Sequence, residues 1–181
     1  ITQKLSLKKG AMVGTSSNRR KAQLLALRPD LNIEDLRGNV PTRIQKLRDE
    51  DYDAIVLAKA GVGRLGLDLS EFDVEVIDPI EIVPAPAQGA LAIQIRENDL
   101  ELFNELQKIN DAATVETISV ERKVLNLFEG GCHMPLGCFC RKEGDTFEVW
   151  TSKAQTADDF PDRLFIRANS TENLAEQIVT K

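Results

Sequence analysis

Three short apolar runs in the first 60 residues, each followed by turn residues and a helical pattern, constrain this chain more than any other feature. Ala11-Met12-Val13 ends at Gly14, Leu31–Leu36 ends at Arg37-Gly38-Asn39, and Ala54-Ile55-Val56-Leu57-Ala58 runs into Lys59-Ala60-Gly61. Strands separated by helix-length segments pair in parallel, so the pattern predicts β-α-β units with helices packed on a sheet. Thr15-Ser16-Ser17 offers N-cap hydroxyls to a helix from Asn18 to Leu27, with Ala22, Leu25 and Ala26 toward the sheet. Pro41 suits the first turn of a second helix, which carries Ile44 and Leu47 inward and Arg43, Lys46 and Arg48 outward. Apolar throughout, 54–58 predicts the most fully buried strand.

The pattern then changes. Gly61, Gly63 and Gly66 predict a loop or a loose helix, and Pro79, Pro84 and Pro86 make Ile77–Ala87 an extended crossover. Gln88–Ile95 predicts a further strand, with Leu91, Ile93 and Ile95 on one face. Leu102, Phe103, Leu106 and Ile109 have helical spacing, and Asp111 can cap a helix running to Leu127. Gly137–Arg141, Phe147–Ser152 and Arg163–Ala168 predict a three-stranded antiparallel sheet, its first two strands joined at Gly144-Asp145. Asn169-Ser170-Thr171 caps a last helix. The expected class is α/β, with a small α+β domain at the end.

Composition narrows the function. With 42% apolar and 29% charged residues, the 181-residue chain can bury a core. Its apolar runs fall far short of the ~20 residues of a membrane span. The start, Ile1-Thr2-Gln3-Lys4, has neither a signal-peptide pattern nor an initiator Met and reads as a cut in a longer chain. The net charge of −6 divides into +6 over residues 1–64 and −12 over the rest. A pI near 5.0 argues against a dedicated nucleic-acid binder, whereas a basic first half suits a small polyanion. Arg19, Arg20, Arg37, Arg43 and Arg64 all follow strand ends, which share one edge in a parallel sheet. Guanidinium forks and helix N-termini there favour carboxylate or phosphate. The competing reading is a set of solvated surface charges. Cys132, Cys138, Cys140 and His133 raise the question of a zinc site, but no C-x₂-C pair exists, so Cys138 and Cys140 are expected as buried core thiols and no metal is expected. Cys132 follows two glycines in a loop, where a thiol can react.

Five motifs now stand in one order: Val13-Gly-Thr-Ser-Ser-Asn-Arg-Arg20, Leu36-Arg-Gly-Asn-Val-Pro-Thr-Arg43, Tyr52–Ala58 with Ala60-Gly-Val-Gly-Arg-Leu65, Gln88-Gly-Ala90, and Glu129-Gly-Gly-Cys-His-Met-Pro135. From about Lys9 onward the chain resembles the porphobilinogen deaminase (hydroxymethylbilane synthase) family of tetrapyrrole biosynthesis. The resemblance implies a cytoplasmic, monomeric transferase that joins four porphobilinogen units with loss of ammonia. It also implies a dipyrromethane cofactor attached to Cys132, a soft sulfur suited to trapping an electrophilic pyrrole methylene. Ser17, Arg19, Arg20, Arg37, Gly38 and Arg43 are then expected to hold the cofactor, and Arg64, Arg37 and Arg43 the substrate. Neither nucleic acid nor membrane is an expected partner; the partners are porphobilinogen, the growing polypyrrole and the remainder of the enzyme's own chain. The implied architecture is a doubly wound, periplasmic-binding-protein-like second domain over 1–86, a strand at 87–98 returning to a largely absent first domain, and a cofactor-attachment domain over 99–181. The family's catalytic aspartate is expected outside this fragment, with Asp53 and Asp78 structural and the fragment alone inactive. Asn18 and Lys59 depart from the family pattern without breaking a motif. The alternative is a non-catalytic, periplasmic-binding-protein-like anion-binding module, which has no need of Cys132.

Overall fold

A computed structural model describes residues 5–49, 51–128 and 134–181. Its first unit is built on three parallel strands, β1 (Met12–Gly14), β2 (Asn32–Glu34) and β3 (Ala54–Ile55), in the order β2-β1-β3. The register sets Val13 against Ile33 on one side and Ala54 on the other. Between the strands run α1 (Asn18–Leu27) and α2 (Val40–Arg48), and α3 (Lys59–Leu65) follows β3. The side chains of Ser17 and Asn39 cap α1 and α2 by accepting from the backbone N–H of Arg20 and Thr42, and such a cap contributes about 1 kcal/mol. Leu5, Ala11, Val13, Leu24 and Leu31 form this unit's buried core.

Three expectations for this unit need correction. The 31–36 strand shortens to three residues, and β3 has only two, half-buried rather than fully buried. β3 lies at a sheet edge and lacks the second neighbour that would bury it. In α1 the buried face is Arg19, Ala22, Gln23 and Leu24, so Leu25 and Ala26 are only half-buried. The glycine-rich stretch takes the helical one of its two expected forms, ended by Gly66 in the left-handed region at φ 58°.

Residues 66–99 contain neither helix nor strand. Gln88–Ile95, expected as a strand, has no ladder partner among the described residues, and Leu91 and Ile93 are exposed. Extended backbone becomes a strand only beside another edge. α4 (Leu100–Gln107) and α5 (Ala112–Leu127) follow, capped by Asp99 and Asp111. The apolar face of α4 is not core: Leu102, Phe103 and Ile109, just past its end, are all exposed. An antiparallel sheet of β4 (Leu136–Glu143), β5 (Thr146–Lys153) and β6 (Asp162–Ala168) completes the chain with α6 (Leu174–Val179). Alternation sends Cys138, Cys140, Phe147, Val149 and Ile166 inward against Val120 and Val124 of α5 and Leu174 and Ile178 of α6. The α6 cap also differs from expectation: Asn173, not Asn169-Ser170-Thr171, precedes the helix, and its side chain makes no cap bond. Among the described residues no helix is long and apolar enough to cross a membrane.

Candidate functional site

The turns that follow β1 and β2 lead directly into the N-termini of α1 and α2, so both helix starts open on the same edge of the parallel sheet. Ser16 Oγ donates to Leu36 O at 2.9 Å and fastens the first turn to the end of the second strand. Gly38 has φ 119°, and a Cβ there would lie 2.8 Å from Thr42 Cγ2. Its glycine is therefore required by the turn into α2, a local reason separate from the expected approach to a ligand.

Three guanidiniums gather at this edge. Arg19 is 7% exposed; its Nη1 donates to Val83 O at 2.6 Å and its Nη2 to Gln88 Oε1 at 3.3 Å. Arg20 Nη1 donates to Val56 O at 2.7 Å, just beyond β3, and Arg43 Nε donates to Gly38 O at 2.8 Å. Burial brings the Arg19 pKa down to about 10, with the charge of Arg20 adding; burial and then the charge of Arg43 lower Arg20. The acceptors are oxygens of neutral groups, which satisfy N–H donors without cancelling charge. None of the ion pairs among the described residues involves Arg19, Arg20, Arg43 or Arg64. An anion placed here would relieve the mutual repulsion and favour the charged forms.

The remaining predicted residues divide. Ser17 caps α1, so its hydroxyl is engaged with Arg20 N at 3.4 Å. Arg64 Nη2 donates to Gly89 O at 2.7 Å, next to the residue that Arg19 touches. Arg37 is exposed, with its guanidinium 3.7 Å from Asp35 Oδ2. Asp53 accepts from Met12 N at 2.8 Å and pairs with Lys8 at 2.6 Å, and Asp78 accepts from Ile80 N at 2.9 Å, so both carboxylates serve local structure. Cys132 and His133 lie outside the described residues. Cys138 and Cys140 are buried on the inner face of β4; burial first, and Glu121 second, push the Cys138 thiol up and the Cys140 thiol to about 12. Such thiols are inert at neutral pH.

Sequence reasoning missed two buried polar residues beside this edge, Gln23 and Glu121. Gln23 Oε1 accepts from Val83 N at 2.7 Å, and its Nε2 donates to Val83 O at 3.0 Å. Glu121 accepts from Ala87 N at 2.6 Å and Cys140 N at 2.7 Å. The only available signal was a polar residue set among apolar ones, Gln23 between Ala22 and Leu24 and Glu121 beside Val120. Ala87 takes a left-handed φ of 58°, which costs a non-glycine residue about 1 kcal/mol and is held by that Glu121 contact.

The fold and this edge define a parallel α/β unit with guanidiniums gathered at its strand ends, where ligands bind in open α/β sheets. Comparison with known proteins makes this specific. Residues 2–104 match the family described as porphobilinogen deaminase, dipyromethane cofactor binding domain, and the chain belongs to the porphobilinogen deaminase family. It is 55% identical over 139 residues to the porphobilinogen deaminase of Oceanobacillus iheyensis, covering 77% of this chain and 45% of that protein. The Bacillus mycoides porphobilinogen deaminase is 51% identical over 144 residues, covering 79% of this chain and 46% of the relative. The chain thus spans about half the length of the curated relatives it matches. Membership in an enzyme family does not favour the non-catalytic anion-binding module.

Proposed function

We propose that this chain is part of a hydroxymethylbilane synthase and that its sheet edge binds the carboxylates of a dipyrromethane cofactor and of porphobilinogen. The carrying observation is the grouping of Arg19, Arg20 and Arg43 at strand ends, each held on an oxygen of a neutral group rather than on a carboxylate. Every pyrrole of such a ligand bears two carboxylates, so the donor set fits the ligand chemically. Ser17, Arg19, Arg20, Arg37, Gly38 and Arg43 are assigned to the cofactor, and Arg64, Arg37 and Arg43 to the substrate.

When bound, the cofactor supplies the primer onto which four porphobilinogen units are joined with loss of ammonia. The arginines bind and orient: guanidinium forks already fixed by carbonyls need little reorganisation when carboxylates arrive. Cys132 is the attachment point. We assign 1–86 to a periplasmic-binding-protein-like cofactor domain, 87–98 to a strand that pairs with the enzyme's first domain, and 99–181 to the attachment domain. The complete enzyme is read as cytoplasmic and monomeric, with its proton-handling residue outside these 181 residues. The piece alone should yield no hydroxymethylbilane, and measurable production would refute that.

The test is the intact mass of the full-length protein as the cell makes it. It should exceed the polypeptide mass by two pyrrole units, and Cys132→Ser should lack them. A Cys132→Ser protein that keeps the extra mass overturns the attachment.

A further inference from the structure

The segment Val83–Gln88 is gripped from both sides. From α1, Gln23 is 1% exposed and bonds both backbone groups of Val83, its amide donating at 3.0 Å and its Oε1 accepting at 2.7 Å. From the other side, one oxygen of Glu121 in α5 accepts from Ala87 N and the other from Cys140 N in β4. Cys138 N donates to Pro84 O at 2.9 Å. Gly137 packs so closely that a Cβ would lie 2.6 Å from Val83 O.

Two consequences meet at this segment. The Val83 carbonyl that Gln23 fixes is the one on which Arg19 docks, so Gln23 sets where that guanidinium stands. The elements that Glu121 ties together, α5 and β4, flank residues 129–133 and hence Cys132. We propose that Gln23 and Glu121 are positioning residues which, acting through Val83–Gln88, hold the arginine edge and both elements flanking Cys132 in one frame. The purpose of that frame rests on the deaminase reading: a pyrrole chain attached at Cys132 must bring its carboxylates to arginines that do not wander.

The experiment uses full-length protein carrying Gln23→Leu or the isosteric Glu121→Gln. In Gln23→Leu, amide exchange at Cys138 and Cys140 should accelerate about tenfold, although Gln23 bonds to neither. In Glu121→Gln, exchange at Val83 should accelerate comparably. For each variant the KM for porphobilinogen should rise about fivefold while kcat stays within about twofold, since binding of the substrate's carboxylates weakens alike in ground and transition state and the reacting groups remain. Exchange that quickens only at each variant's own partners overturns the proposal. So does uniform acceleration with unchanged KM, which marks simple destabilisation. If Gln23→Leu does not fold, Glu121→Gln carries the same test in the reverse direction; failure of both to fold reduces the pair to core residues and also overturns it. The exchange readout needs no turnover. A negative result there leaves the deaminase reading standing, and absence of pyrrole on wild-type Cys132 refutes that reading without touching the exchange result.

Discussion

The two sheets of this chain treat arginine in opposite ways. On the outer face of the antiparallel sheet, Arg141 and Arg167 both grip Glu148, which is 3% exposed, and Arg141 also lies 5.0 Å above the ring of Trp150. At the edge of the parallel sheet, Arg19, Arg20 and Arg43 rest on oxygens of neutral groups, as does Arg64 in the last turn of α3. A carboxylate satisfies the donors and cancels the charge, whereas a carbonyl does only the first. The first pair is therefore closed to an outside anion, and the second group stays open to one. The acceptor a guanidinium is given decides whether its charge is cancelled within the fold or, on the proposed reading, left for a ligand.

The sharpest way to break this contrast is to remove the open charges. Arg19→Ala with Arg20→Ala in the full-length enzyme should lower kcat/KM for porphobilinogen at least about 100-fold, equivalent to about 2.7 kcal/mol. A fall smaller than about tenfold would mean that these guanidiniums serve the fold alone. Next in size is Gly137→Ala, where β4 packs on Val83. Its Cβ would meet backbone at 2.6 Å, so a loss of about 2–3 kcal/mol is expected in chemical denaturation, and an unchanged midpoint would disprove the close packing.

Glu148→Gln probes the closed pair and should lower Tm by a few degrees. Hydrogen bonds from Arg141 first, and Arg167 next, hold the Glu148 carboxyl below its ordinary range. The folded pKa is depressed, so its stabilisation is complete above the ordinary carboxylate value and drains away as pH falls through the lower folded one. The gap between wild type and Glu148→Gln should accordingly narrow below about pH 4.5, and a gap independent of pH would exclude the charge pairing as its source. Smallest of all is Arg37→Ala. Its pair with Asp35 is exposed on both sides, and stability should change by less than about 0.5 kcal/mol.

How much of this was legible in the sequence depended on the distance between a residue and what it bonds. Ser17 and Asp111 announced their helices because a cap acts within three residues. The antiparallel sheet was readable from alternation and from Gly144-Asp145, again local signals. Arginines at strand ends could be listed as anion ligands, but only the fold distinguishes Arg20 on Val56 O from Arg37 beside Asp35. Gln23 escaped notice because its partner, Val83, lies 60 residues away and offers only backbone, to which any sequence contributes alike. Leu91 and Ile93 pose the opposite case: their alternation predicts a strand, but a strand also needs an adjoining edge, and none of the described residues supplies one.

The inward orientation of two of the three cysteines also has a use at the bench. Cys138 and Cys140 are buried thiols that stay protonated well beyond neutral pH, so mild alkylation of the native protein should pass them by and label them only after denaturation. Rapid labelling within these 181 residues of the folded, cofactor-free protein would then report Cys132, the third cysteine of the sequence. Within these residues the two buried thiols therefore serve as an internal control that reports unfolding rather than reactivity.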